Sequence, residues 1–350
     1  MSLSTVLTTV NSPTQSVISL WKSLSKIESH LIVVGDSKGP ASYVLNEALG
    51  ARTSLSFLSL SDQLNSCFSL ARSLPTKHYS RKNVGYLQAI RSNATCIYET
   101  DDDNAPADTW SPRQELISAP QWLSSKAETM PRWVNVYTHF SDVSVWPRGI
   151  PLDQIYAPLS LAQVDTDSFG LSAIRAPIQQ GLVNGSPDVD AIWRLTQERE
   201  FEFDNAPSVV VQPGNWCPFN TQSTWWWPVA YPLLYIPSYC TFRMCDIWKS
   251  FVAQRCLWEL GLGVVFHAPE VYQDRNPHNL MKDFEDEIPG YLQNHRIAEI
   301  LENTSLKSGE ENVANNLLSC YEALVREKIF PEKELVLVHT WLEDLQKCKS

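Results

Sequence analysis

A chain of 350 residues with a formal net charge of −11 is long enough to bury a full core, as one large domain with an appendage or as two domains. The acidic balance provides no Lys/Arg-rich stripe to displace counterions from phosphates, which argues against a nucleic-acid partner. No run of about 18 apolar residues and no basic-apolar-small leader occurs, so no membrane span is expected within these residues.

Residues 1–15 are Ser/Thr-rich and read as a poorly ordered tail, followed by a helix over SVISLWKSLSKI, where apolar residues recur at helical spacing. The first strand is expected at His30–Val34, ending in Gly35-Asp36-Ser37-Lys38-Gly39-Pro40. A buried apolar strand running into a Gly/Asp turn fits the opening of an α/β domain, with the turn at the carboxyl edge where such sheets bind ligands. Without GxGxxG or GxxxxGK, a dinucleotide fold and a phosphate-loop NTPase are disfavoured. SLSFLSL, residues 54–60, is the second expected strand, with a helix over NSCFSLARSL behind it.

Arg81, Lys82 and Asn83 then open a helix whose Val84, Leu87 and Ile90 face inward. Cations and free amide groups at a helix N-terminus suit a diphosphate, and solvated surface charge is the alternative. The helix leads to CIYETDDDN, a short half-apolar strand running into Asp101, Asp102 and Asp103. Three adjacent carboxylates repel one another and resist desolvation, so a divalent cation or a metal-diphosphate would relieve them. An acidic surface turn is the competing reading, since Asp and Asn favour turns and Pro106 follows.

Residues 105–131 read as loop-rich and WVNVYTHF as a strand. In VWPRGIPLDQI, Arg148 lies between Pro147 and Pro151, in a stiff loop that holds one guanidinium in place. Asp188 and Asp190 stand where either can cap a helix beginning near Ala191. VVVQPGNWCPFNTQSTWWWP is a strand with an aromatic-rich loop, in which Asn215, Asn220 and Gln222 among Trp225–Trp227 suit sugar recognition or a buried cluster. A strong helix over MCDIWKSFVAQRCLWELGLG has Asp246 at its start, and VVFHAPEVYQ is the last strand. Three amphipathic segments, HRIAEILENTSL, NNLLSCYEALVREKI and KELVLVHTWLEDLQK, form a C-terminal helical extension. The expected organisation is thus 1–28 tail and helix, 29–288 main α/β domain and 289–350 helical extension. Eight cysteines without CxxC or zinc-type spacing read as reduced core thiols, although an even count also permits disulfides.

Taken together and in this order, DDDN, WPRGIPL, PDVDAIWRL, CDIWKSFVAQR and NPHNL resemble the STELLO (DUF288) family of probable glycosyltransferases. More distantly the chain resembles the reversibly glycosylated polypeptides, which are UDP-arabinopyranose mutases. The resemblance implies a GT-A-like (nucleotide-diphospho-sugar transferase) fold, an α/β/α sandwich with a mixed sheet. It also implies a nucleotide-sugar donor of the UDP-sugar kind, Mn²⁺ or Mg²⁺, and a glycan or other hydroxyl acceptor. By this resemblance Asp101 and Asp103 hold the metal in a DxD-type motif, and Asp101 and Asp102 meet the donor. Arg81, Lys82 and Asn83 at their helix start, with Asp188 and Asp190, are the further residues expected to bind the donor. Asp246 and Arg148 are the expected catalytic residues. Asp246 lies near the sugar and acceptor, which it is expected to orient or deprotonate. Arg148 matches the arginine that becomes glycosylated in the mutases, but it is expected here to hold the phosphate or sugar of the donor in preference to being glycosylated. One departure is that Gln273 stands where the mutases have a His, with His278 a few residues on, which leaves the third metal ligand open. The expected function is a metal-dependent hexosyl- or pentosyltransferase, with a sugar-nucleotide mutase or an inactive scaffold binding a partner protein as alternatives. The compartment reads as cytoplasmic for the chain as it stands, or the Golgi lumen for part of a longer anchored protein.

Overall fold

A computed structural model describes residues 2–46, 52–118, 121–128, 130–154, 163–165, 173–197, 200–274 and 279–349. Eleven strands form one sheet: β1 (Leu3–Thr9), β2 (Ser29–Gly35), β3 (Thr53–Leu58), β4 (Cys96–Thr100), β5 (Asn104–Pro106), β6 (Gln121–Ser124), β7 (Gln163–Asp165), β8 (Ile178–Gly185), β9 (Val209–Val211), β10 (Ser223–Trp226) and β11 (Val264–Gln273). The order across the sheet is β3-β2-β1-β4-β10-β8-β11-β9-β6-β7, with β5 paired to β11. β3, β2, β1 and β4 run parallel, β10 is inserted antiparallel, and β8 and β11 resume the first direction. The expected α/β architecture with a mixed sheet and C-terminal helices is the one observed.

The expected N-terminal tail is a correction, because Leu3–Thr9 is a central strand paired with β2 on one side and β4 on the other. Its Leu3 and Leu7 enter one apolar cluster and Val6 another, so both faces are covered, as in buried parallel sheets. Helix α1 (Gln15–Leu24) returns over one face, capped by Thr14, which accepts from Val17 N. Its Val17, Leu20, Trp21 and Leu24 are buried, at about 1.5–3 kcal/mol for each large apolar side chain removed from water. Helix α2 (Lys82–Arg91) covers the opposite face. Gly85 lets it approach, since a Cβ there would stand 2.6 Å from Val6 Cγ1 and 2.7 Å from Val34 Cγ2.

The strand expected over WVNVYTHF is mostly a 3₁₀ turn, Val136–His139, capped by Asn135, preceded by a two-residue strand, Arg132–Trp133. Helix α3 (Cys245–Trp258) is buried almost throughout. Helices α4 (Leu280–Glu302), α5 (Val313–Arg326) and α6 (Glu332–Lys349) follow. Their Leu301, Leu317, Tyr321, Leu324 and Trp341 share one apolar cluster with Phe251 and Cys256 of α3 and with Val6 of β1. Buried polar contacts tie the same helices down: Trp341 Nε1 donates to the carbonyl of Pro232 at 2.9 Å, and Leu70 N donates to Asp344 at 2.8 Å. No helix among the described residues is long and apolar enough to cross a membrane.

Candidate functional site

Because β1, β2, β4, β8 and β11 point the same way, their carboxyl ends meet at one edge, the edge at which open α/β sheets take ligands. A cavity of about 430 Å³ opens there. Its walls are Thr8–Asn11 at and just after the end of β1, Asp36 after β2, the Asp101–Asp103 triplet after β4, Ser186–Asp188 after β8, Gln273 at the end of β11, and Asp246 at the start of α3.

The three aspartates are held differently. Asp101 accepts from Tyr79 Oη at 2.6 Å and from Lys82 Nζ at 3.1 Å, so its charge is balanced by a fully buried lysine. Burial still pushes its pKa up, against the pull of Lys82 and Tyr79. Asp102 accepts from Thr9 Oγ1 at 2.5 Å and from Asn11 Nδ2 at 3.0 Å, which fastens the triplet to the loop after β1. Thr14, the cap of α1, donates to the Asp102 carbonyl. Asp103 has Gln273 Nε2 at 2.9 Å as its side-chain donor and no cation partner in the ion pairs described. Burial, then the charges of Asp101 and Asp102, raise it to about 7.

A second constellation lines the same cavity. All five N–H groups of Arg148 are used. Nε and Nη2 donate to the two oxygens of Asp188 at 2.7 Å each, Nη1 and Nη2 donate to those of Asp246 at 2.8 Å each, and Nη1 also donates to the carbonyl of Arg243. Burial works to raise the Asp188 pKa, but Arg148 and Arg243 overcome it and hold the group at about 2. Asn220 Nδ2 adds a bond to Asp188 at 2.9 Å, and Arg243 links Asp188, 3.6 Å away, to Glu287 of α4 at 2.7 Å. Gly149 brings the Arg148 loop onto α3. It has φ +104°, and a Cβ would meet Ile247 Cγ2 at 2.7 Å and Pro218 Cβ at 2.8 Å.

The sequence profile of the STELLO glycosyltransferases matches residues 243–349. Two Arabidopsis thaliana proteins described as probable glycosyltransferases, STELLO1 and STELLO2, are each 29% identical over 344 residues, 93% of this chain. The chain is thus similar to the STELLO proteins. It spans 42% of the length of these two relatives. The part matched by the STELLO profile contains Arg243, Asp246 and Glu287 of the second constellation. The triplet and Arg148 lie outside that part. Among solved structures, glucosyl-3-phosphoglycerate synthase from Mycobacterium tuberculosis, in complex with phosphoglyceric acid, matches with a TM-score of 0.37 at 10% identity, over 84% of this chain and 80% of that one. TarS of S. aureus in complex with UDP-GlcNAc matches at 0.35 and 12%, over 99% and 80%.

Of the residues expected at the site, Asp101, Asp102, Asp103, Asp188, Asp246, Arg148 and Gln273 line the cavity. Lys82 reaches its wall through Asp101. Arg81 and Asn83 are a correction: both are fully buried away from it. The Arg81 guanidinium binds Gln63 and the carbonyls of Leu74 and Ala71, and Asn83 pairs with the backbone of Ile236. Asp190 caps its short helix through Ile192 N and Trp193 N, while Asp188 takes the arginine. Asn215 binds Ser125 N, and Trp225–Trp227 are buried core. His278 lies outside the described residues. Sequence reading missed Thr9, Asn11, Tyr79, Arg243 and Glu287. The β-branched content of Leu3–Thr9, with Thr5, Val6, Thr8 and Thr9, was the available signal for the first two.

Proposed function

We propose that this cavity binds the diphosphate of a nucleotide sugar, in the manner of a GT-A-like glycosyltransferase, and that the chain transfers the sugar to a hydroxyl acceptor. The observation that carries the reading is the charge balance at the triplet. Three carboxylates crowd one buried lysine, an excess of acidic groups that a divalent ion such as Mn²⁺ or Mg²⁺ would relieve. Among the described residues no three His, Cys, Asp or Glu side chains gather as a ready-made cage. That suits an ion sharing its shell with phosphate oxygens and water more than an all-protein site. Asp103 is the residue to hold it, with Gln273 orienting the carboxylate. Asp101 is the lesser ligand, since Lys82 and Tyr79 already occupy one of its oxygens. When bound, such an ion would screen the negative charge of a departing diphosphate.

The chain's own groups have distinct tasks in this reading. Thr9 and Asn11 fix Asp102 toward the ribose side of the donor. Asp246, held in place by two hydrogen bonds from Arg148, accepts a hydrogen bond from the acceptor hydroxyl, orienting it and taking up its proton. Arg148 is a positioning residue. With five N–H groups engaged and 5% exposure, it neither reaches a phosphate nor offers a nitrogen for glycosylation, which weighs against the mutase alternative. Incubation with a panel of UDP- and GDP-sugars plus Mn²⁺, reading released nucleotide, tests the proposal. Release from at least one donor is expected, and a folded protein inert to every donor would favour the scaffold alternative.

A further inference from the structure

Phe242 is 55% exposed, the most exposed aromatic ring among the described residues, in a protein whose Trp225, Trp226 and Tyr235 are fully buried. A single exposed apolar residue is ordinary on a protein surface. This one stands on the wall of the cavity, four positions before Asp246. It is also braced: its ring meets Tyr79 nearly edge to face, at 5.6 Å between centroids and 80° between planes. Tyr79 is itself pinned by hydrogen bonds to Asp101 at 2.6 Å, Thr221 at 2.6 Å and Lys82 at 2.8 Å. A ring held this way loses little freedom when a ligand lies on it.

We infer that Phe242 is the stacking platform of an acceptor subsite, taking the apolar C–H face of a pyranose ring in a glycan. The inference rests on the glycosyltransferase reading above and adds the acceptor class. A pyranose has one face of C–H groups and a rim of hydroxyls. Phe242 offers a π face for the first. The carboxylates of Asp246 and Asp188, fixed by Arg148, are acceptors for the second. Val10, the other exposed apolar residue of the cavity, lies after β1 beside Asn11, on the side of Asp102. Phe242 lies between the two carboxylate groups, its ring on Tyr79, which is bonded to Asp101, and its chain neighbour Arg243 paired with Asp188.

The test uses the full chain and two pyranose probes of different linkage, cellohexaose and maltohexaose. Saturation-transfer NMR reads glycan binding, and calorimetry reads UDP with Mn²⁺, for wild type, Phe242→Ala and Phe242→Tyr. Expected are saturation of at least one glycan by wild type, a loss of about three- to tenfold in its affinity in Phe242→Ala, and recovery in Phe242→Tyr, with UDP affinity within about twofold throughout. Equal glycan binding in wild type and Phe242→Ala, no glycan binding by a wild type that binds UDP, or a loss confined to UDP each overturns the inference. A wild type that binds no UDP overturns the underlying reading, and the subsite with it.

Discussion

Replacing Arg148 separates positioning from donor binding. Arg148→Lys keeps one positive charge but cannot reproduce a fork that donates two hydrogen bonds to Asp188 and two to Asp246. Charge-assisted bonds of this kind contribute about 1.5–3 kcal/mol each, and stripping a buried charge of its partner costs about 3–5 kcal/mol. With the charge retained and half the bonds lost, a destabilisation of roughly 2–4 kcal/mol is expected by urea titration. Turnover should fall about tenfold or more as Asp246 loses its fixed orientation. The donor KM should stay within about twofold, because the guanidinium does not meet the donor. The acid limb of stability also moves. Asp188, held at about 2 against an unfolded value near 3.9, contributes stability that is present above the unfolded value and lost as pH falls through about 2. Weaker pairing in Arg148→Lys starts that loss at a higher pH. Unchanged stability with a donor KM raised tenfold would refute the assignment and return Arg148 to the donor. A sugar-sized mass increase mapping to Arg148 after incubation with a donor would refute it independently.

Two further substitutions probe a neighbouring helix cap and the constellation itself. Asp190 is raised to about 7 by burial and by the charge of Glu287, so folding favours its protonated form. Stability is then greatest below the unfolded value of about 3.9, declines up to pH about 7 and is level above. Asp190→Asn keeps the cap on Ile192 and Trp193 without the charge. It should match wild type near pH 4 and exceed it by about 1–4 kcal/mol at pH 8, in urea titrations at both values. Asp246→Asn removes the proton acceptor at the acceptor hydroxyl and should cut kcat by about a hundredfold or more, with UDP affinity little changed. Full turnover in that variant would reduce Asp246 to a residue of the helix N-terminus.

Legibility from sequence followed the range of the forces involved. VVFHAPEVYQ was recognisable as a strand and is one over its whole length, and the C-terminal amphipathic segments are helices, because periodicity is a local signal. Leu3–Thr9 was hidden by its Ser and Thr content. It is a central strand because neighbours cover both of its faces, a long-range fact. The triplet was legible as chemistry at a strand end, but the lysine that neutralises one member was read as a donor ligand. Arg148 was legible as a fixed guanidinium. Its partners were not, since Asp188 and Asp246 lie 40 and 98 positions away in the chain and only the closed fold brings them together. Arg81 misled for a related reason: a basic cluster at a helix start looks like an anion site until two carbonyls are found facing the guanidinium.

The central claim, that the strand-end cavity takes a nucleoside diphosphate through a divalent ion at Asp103, is tested most directly by calorimetric titration of UDP. Wild type with Mn²⁺, wild type with excess EDTA, and Asp103→Asn with Mn²⁺ are compared at pH 7.5, each with its melting temperature. Binding in the first case and a loss of about tenfold or more in the other two, with folding intact, is the expected result. Equal UDP affinity in all three would contradict the account.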